Sequence, residues 1–304
     1  MVVTLSPKQF LRKNLIEGIA NKQLEQNLDF IDLFPVTYTD NVSVTYHEDL
    51  TTAGEDQTNE VTGAPIDLGE LSELSTVEIS SITQKSGMLQ PFGIQIKVSE
   101  RDMRRSEIIN DLTRAVDRIS FLMAKKMNDD QVTILTGVSN DITEVNGSAA
   151  WSEDTADPVG DIVLFQEAMD LEGWDSQLTD IFLHKTNYYE FKKYMLGVDR
   201  AWAMSPLGGN KEVPNIMGVN IHNTKSTQLS EAAYVGIDGR PGFQPIDVYA
   251  YRPEGFSTGG DVRLLNVYRY KEEKYPHNEV VEFVAETHYA LKRPNSACYK
   301  SSAI

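Results

Sequence analysis

The chain has 304 residues, with 28 Lys+Arg against 45 Asp+Glu and a formal charge of −17. That length buries roughly 75% of its unfolded surface, and 40% hydrophobic with 24% charged residues is the balance of a folded chain, not a disordered one. One cysteine, Cys298, excludes an internal disulfide and a Cys-based zinc cluster, no apolar run reaches the ~18 residues of a membrane span, and the acidic balance is wrong for a protein that wraps nucleic acid with its whole surface.

The first fifteen residues, MVVTLSPKQFLRKNL, lack the apolar core of a secretory signal, so a soluble protein made inside the cell is expected. Residues 6–26 read as an amphipathic helix. Ser6 caps it and Pro7 takes its first position. Phe10, Leu11, Leu15, Ile16 and Ile19 form the apolar stripe, and Lys8, Arg12 and Lys13 make the other face basic. An arm packed on protein fits this pattern better than a membrane-surface helix. LDFIDLFPVTY then runs as an extended segment ended by Pro35, and Val42–Tyr46 alternates as a strand.

Residues 51–70, TTAGEDQTNEVTGAPIDLGE, hold few apolar groups. A loop this long is functional or mobile. Strand-like runs follow at Ser75–Thr83 and at Met88–Val98, the latter bent at Pro91, and strand runs on either side of residues 51–70 make that segment the polar tip of an extended hairpin. Charge is uneven here: Gln23 to Gln84 contains thirteen acids and no Lys or Arg, and Gly137 to His184 contains eleven acids and no base. Such a block is either a solvated face or an acidic arm that meets a basic surface.

Ser99 opens the strongest periodic signal, with Glu100 and Asp102 behind it. Met103, Ile108, Leu112, Ala115, Val116, Ile119, Leu122, Met123 and Met127 form one helical stripe. Arg104, Arg105, Arg114 and Arg118 lie off it. About 35 residues of helix would be about 53 Å long, close to the ~50 Å diameter of a ball of this many residues, so a flat or elongated subunit with this helix as its spine is expected. A break at Asn128–Asp130 is the alternative.

Helices follow from Asp157–Pro158 to Glu172 and from a capping Thr186 to Leu196, stopped by Gly173 and Gly197. Strands follow at Thr179–Leu183, Val219–Asn223, Ala232–Ile237, Ile246–Arg252, Val262–Tyr270, Val280–Leu291 and Ala297–Lys300, with a turn at Gly239–Gly242. Helix and strand mix in the middle and strands dominate the end, an α+β class.

Tests for catalytic chemistry find no anchored set. GFSTG, Gly255–Gly259, fits the GxSxG pattern with Ser257 as nucleophile, but a strand follows where the elbow needs a helix, so a Gly/Ser turn is the better reading. His277 and His288 would complete a triad only by coincidence. There is no phosphate loop, dinucleotide fingerprint or EF-hand. Asp129 with Asp130, and Glu153 with Asp154 and Asp157, read as caps or solvated charge in preference to cation sites. Cys298 reads as a core or edge residue. Trp151, Trp174 and Trp202 read as packing groups. No cofactor is expected.

Residues 94–137, IQIKVSERDMRRSEIINDLTRAVDRISFLMAKKMNDDQVTILTG, resemble the major capsid proteins of tailed viruses, the Hong Kong ninety-seven type. In that family a strand ends in Val-Ser, a long helix has a Leu-x-x-Ala-Val/Ile-Asp core, and an acid with Ile-Leu-x-Gly closes it. Val98, Ser99, Leu112, Ala115, Val116, Asp117, Asp130, Ile134, Leu135 and Gly137 stand at those places. Downstream, Ile216–Ser226 resembles the family's Leu-Gly-x-Pro-Val strand, with Val219 and Asn220 replacing Pro-Val. AAYVGID resembles the strand after it, and Glu286–Lys300 the terminal strand pair. The likeness spans residues 42–300.

The resemblance implies an N-terminal arm (1–41), an extended loop with peripheral-domain strands (42–98), a spine helix (99–136), an axial α/β domain (137–261) and strands returning to the peripheral sheet (262–304). It implies a structural protein without a catalytic centre, self-assembling as hexamers and pentamers into an icosahedral shell around double-stranded DNA touched non-specifically on its inner face. Made in the host cytoplasm, it would reside in the virion. Scaffold, portal and decoration proteins are the implied partners. As the chain begins at Met1, no fused, cleaved scaffold is expected. Intersubunit contacts are expected between Glu55, Asp56, Glu60, Asp67 and Glu70 of the hairpin and Arg101, Arg104, Arg105, Arg114 and Arg118 of the spine. The alternatives are an encapsulating nanocompartment shell of the same fold, a small-ligand binding module, and a hydrolase using Ser257.

Overall fold

The computed structural model describes residues 13–48, 83–137 apart from 100 and 103–107, 142–198 apart from 148, 150, 152, 154–155 and 172–175, 217–252 apart from 232, 263–272, and 278–300. Two compact units divide them.

The first unit is built on a five-stranded sheet. β1 (Val36–Thr39) runs parallel to β9 (Ile246–Tyr251), which neighbours β11 (Asn278–Leu291). β11 also takes β10 (Asn266–Lys271) and β4 (Gln90–Ser99), both antiparallel. Alternation sets the strand phase: Val281, Phe283, Ala285 and Thr287 of β11 are buried, as are Ile246, Val248 and Ala250 of β9. At Gly93 a side chain is impossible without a shift, because a Cβ there would lie 2.5 Å from the Phe283 carbonyl oxygen on the paired strand. β2 (Ser43–Glu48) and β3 (Thr83–Met88) form a separate two-stranded ribbon.

Helix α1 (Lys13–Glu25) covers β10. Its buried ridge is Ile16, Ala20 and Leu24, with Leu15 and Ile19 half-buried beside it. Asn21 ties it down: its amide donates to the Leu265 carbonyl at 3.0 Å, and its side-chain oxygen accepts the Leu265 N–H at 2.9 Å. The expected start of this helix at Ser6 and Pro7, with Phe10 and Leu11, lies outside the described residues.

Helix α2 (Ile108–Leu135) is unbroken over 28 residues, about 42 Å at 1.5 Å per residue. Asn128 does not break it. Its side chain is fully buried and clamps the turn after α1, accepting the Asp29 N–H at 3.1 Å and donating to the Asn27 carbonyl at 3.1 Å. Ser99, the expected N-cap, ends β4 and makes the bonds of a cap: its hydroxyl accepts the Asp102 N–H at 3.1 Å and donates to the Asp102 carboxylate at 2.7 Å. Residues 103–107, between this cap and Ile108, lie outside the described residues. Leu112, Val116, Ile119, Met123 and Met127 are buried as expected, but Leu122 is 50% exposed. At 100° per residue it lies roughly 100° from the centre of that stripe.

The second unit has a five-stranded sheet in the order β5 (Thr143–Glu144), β12 (Ala297–Lys300), β8 (Tyr234–Ile237), β6 (Asp180–Leu183), β7 (Asn220–Asn223). β8 and β6 are buried at every position, as suits strands covered on both faces. Helix α3 (Pro158–Leu171) starts as expected: Pro158 takes the first position, and the Asp157 carboxylate accepts the Gly160 N–H at 3.0 Å. Helix α4 (Lys185–Val198) is capped by His184, whose Nδ1 accepts the Thr186 N–H at 3.3 Å. The expected cap, Thr186, already lies inside the helix and bonds Glu231 at 3.1 Å, and Gly197 lies inside its far end.

Two strands fall on the other side of the expected division. Ile246–Tyr251, read into the axial part, is in the first sheet. Ala297–Lys300, read into the returning strands, pairs with Tyr234–Ile237 in the second. The turn at Pro294–Ser296 separates β11 from β12, and the chain changes sheets there.

Candidate functional site

The candidate surface among the described residues is a water-facing ridge of α2. On α2, Arg114, Arg118, Leu122 and Lys126 follow one another at four-residue spacing, and all four are exposed. Phe121, beside them, is 45% exposed. Arg101 is also exposed. Three of the expected contact residues, Arg101, Arg114 and Arg118, thus face water. Arg104, Arg105 and the acids Glu55, Asp56, Glu60, Asp67 and Glu70 lie outside the described residues. The periodic signal that found α2 misassigned Leu122 and passed over Phe121. Their burial angle was the available clue.

Exposed polar and ionic bonds join the strands of the first sheet. Lys97 of β4 donates to Glu272 at 2.8 Å, Asn278 donates to the same carboxylate at 3.0 Å, and Arg269 of β10 donates from Nε to Glu279 of β11 at 2.8 Å. The Tyr270 hydroxyl donates to Glu282. These exposed pairs stitch neighbouring strands and are each worth ~0–1 kcal/mol.

Two polar nodes lie inside the second unit. Asp161 is buried and accepts Trp151 Nε1–H at 2.7 Å and the Tyr234 hydroxyl at 2.5 Å, both on one oxygen. Lys300 donates to the Tyr234 oxygen at 2.8 Å. Burial, then the bond to Asp161, pushes the Tyr234 phenol far up. Gly147 packs so close that a Cβ there would lie 3.0 Å from Asp161 Oδ1 and 3.1 Å from the Tyr234 hydroxyl. In the second node Asp180 bonds the Thr179 hydroxyl at 2.6 Å, His222 Nε2 at 2.6 Å and the Asn220 amide at 3.1 Å. His222 stacks on Phe182 at 4.8 Å. The first carboxylate satisfies buried donors; in the second node it is the Asp180 carboxylate that is buried, held by half-buried and exposed donors.

Ser257 and His277 lie outside the described residues. His288 is half-buried on β11, against the backbone of Gly87. Cys298 is a core residue whose thiol burial pushes up. Trp151 is a packing group, as expected, and Trp174 and Trp202 lie outside the described residues. Asp130 pairs with Lys126, Asp157 caps α3, and Asp154 lies outside the described residues. Among the described residues no group of three or more His, Cys, Asp or Glu is placed to hold a metal. Nor is any described helix long and apolar enough to cross a membrane.

Among the described residues, His288 and Asp180 contribute to the acid response. Burial pushes the His288 imidazole below its usual value, so the unfolded chain takes up that proton first as pH falls through about 6.5. This contribution to stability is complete above that pH and is lost below it. Asp180 acts in the same sense at lower pH. Burial pushes its carboxyl up, but the bonds from His222, Thr179 and Asn220 outweigh it and leave the net value lowered. That contribution is complete above the unfolded carboxylate value near ~3.9 and disappears as pH falls through the folded one. Melting temperature is therefore expected to fall between pH 7 and pH 5, and His288→Gln to shrink that fall. A parent profile flat across this range contradicts the assignment.

No protein-family model and no curated protein matches the sequence. Solved structures do match the fold. The chain is similar to a virus-like particle from Pyrococcus furiosus (TM-score 0.56, 10% identity, covering 95% of this chain and 98% of that one). It is similar to the capsid of the cyanophage P-SCSP1u (0.57, 11%, 91% and 88%) and to the capsid of an empty GTA particle (0.55, 13%, 91% and 90%). Coverage this complete in both directions gives the chain the Hong Kong ninety-seven type capsid fold, the α+β architecture expected from its spine helix and terminal strands.

Proposed function

We propose that this chain is the major capsid protein of a tailed virus, self-assembling into an icosahedral shell of hexamers and pentamers around double-stranded DNA. One observation carries the reading: over nine-tenths of the chain is matched by shell proteins, with little of those proteins left over. Water-facing apolar residues on α2 support it, since contacts in an assembly would cover Phe121 and Leu122. The viral and virus-like character of the matched particles favours a capsid over a cargo compartment. Scaffold, portal and decoration proteins are the partners this role brings, the virion is its location, and the host cytoplasm its place of synthesis. Residues 1–41 act as arm and 42–98 as extended loop with peripheral strands. The reading assigns no catalytic residue. Sedimentation velocity with negative-stain imaging tests it: closed megadalton shells are expected, and a 34.1 kDa monomer at all concentrations overturns it. Ser257→Ala is expected to leave shells intact. An esterase activity that disappears in this variant would establish the hydrolase instead.

Charge suggests how neighbours register. Residues 51–70 hold Glu55, Asp56, Glu60, Asp67 and Glu70 with no base and too few apolar groups for a core of their own. In the proposed shell they lie near Arg101, Arg104, Arg105, Arg114 and Arg118 of an adjacent copy. Single exposed pairs are worth only ~0–1 kcal/mol, but repeated in every subunit they steer encounter and register. Replacing residues 54–67 by a short Gly/Ser linker is expected to leave a folded, soluble subunit that does not close into shells. Added salt is expected to slow parent assembly, since exposed charges are screened beyond ~8 Å at physiological ionic strength. Unfolding of the linker variant would place the segment in the subunit's own core, and normal shells would make it dispensable.

A further inference from the structure

The second sheet carries α3 and α4 on one face. Both helices fill the core around Trp151, whose ring lies 4.8 Å from Phe191 of α4 and 5.1 Å from Tyr234. Phe165 of α3 meets Tyr234 edge-on at 5.6 Å. α3 packs on β12, while α4 packs on β6 and β7, on the other side of the central strand β8. The two helices therefore flank one layer, and each turns a ridge to water.

The ridges differ in kind. On α3, Val159, Val163 and Glu167 recur at four-residue spacing. Val159 is 37% and Val163 43% exposed, and Glu167 is exposed. A helix with apolar residues on its wet side as well as its core side has the composition of a buried helix. On α4 the same spacing gives Lys185, Tyr189 and Lys193. Tyr189 is 49% exposed, and both lysines are exposed. Lys193 also pairs with Glu190 of its own helix, an exposed contact easily exchanged. One ridge is apolar and acidic; the other is aromatic and basic.

We propose that the α3 ridge of one copy docks on the α4 ridge of the next. This rests on the shell reading and supplies the residues that join neighbouring subunits. The occupant is a second copy because the complementary ridge belongs to the same unit of the same chain. Two different faces of identical subunits make a head-to-tail contact, which closes into rings when the rotation fits. Tyr189 covers the two valines, and Lys193, one turn along the same ridge, meets Glu167. Apolar and aromatic groups at the centre with charge around them is the usual anatomy of a specific interface.

The test separates this contact from other pairings. Val163→Asp blocks the first ridge and Tyr189→Asp the second. Both sites are exposed, so each variant is expected to melt like the parent and to lose roughly tenfold or more of its shell yield, because an unpaired charge is desolvated in the contact. Mixed in equal amounts, the two variants retain one sound ridge each. They are expected to join as pairs that do not close into shells. As a check independent of those substitutions, Glu167→Lys and Lys193→Glu are each expected to lower the yield, and the double exchange to restore it. Shells at parent yield from Val163→Asp or Tyr189→Asp overturn the contact and leave the shell reading intact. So does a double exchange no better than its single parents. A parent that never assembles overturns the shell reading and this contact together.

Discussion

Leu112→Asp is expected to abolish both soluble folding and assembly. Leu112 is 5% exposed on the buried ridge of α2, in register with Val116, Ile119 and Met123. Burying a leucine side chain contributes ~1.5–3 kcal/mol, and that is lost. The carboxylate that replaces it has an effective burial penalty of several kcal/mol more. The sum rivals the ~5–15 kcal/mol that holds a domain folded. Arg114→Ala, two residues along and exposed, is the control, and is expected to stay within ~0.5 kcal/mol of the parent. Soluble yield, melting temperature and particle count read both variants. A Leu112→Asp protein that melts and assembles like the parent would mean that the helix is rotated from its observed phase.

Much of this architecture is legible because burial writes a period into the sequence. Leu112 to Met127 repeats as a helix face, so the helical stripe was in phase apart from Leu122, and Val281 to Thr287 alternates within the expected strand. Short or chemically mixed elements are harder. Val36–Thr39 is a four-residue strand with no buried side chain among VTYT, and it exists because β9 offers a parallel edge; nothing local announces it. Ala297–Lys300 follows Asn278–Leu291 after only a short turn, which invites the reading of one strand pair in one sheet. Its actual partner, Tyr234–Ile237, is over sixty residues away in sequence. The cap of α4 was misplaced because Thr186 is the stronger capping residue by type. The ring nitrogen of His184 reaches the same N–H from the position where the cap belongs. Surface ridges are the least legible. Val159 and Val163 look like core residues in sequence, and only their exposure marks them as a face that needs a partner.

The polar node under α3 was also invisible, because its members are ten to more than a hundred residues apart in sequence, and it carries the second large effect. Asp161→Ala is expected to cost about 3–5 kcal/mol. The alanine leaves the indole N–H of Trp151 and the hydroxyl of Tyr234 buried without their acceptor, each at about 1–3 kcal/mol. It also removes one of the two acids that favour the Lys300 ammonium, which burial already disfavours, lowering its pKa against the opposing pull of Asp161 and Glu153. Asp161→Asn separates geometry from charge. Both donors converge on a single oxygen of Asp161, so an amide oxygen in that place still accepts both. The asparagine variant is therefore expected to lose about 1–2 kcal/mol, clearly less than alanine. Urea unfolding measures the order, parent above Asn above Ala. Because the node fixes α3 against β8 and β12, shell yield is expected to follow the same order. Equal stability of the two variants would mean that the lost charge, not the two orphaned donors, sets the cost.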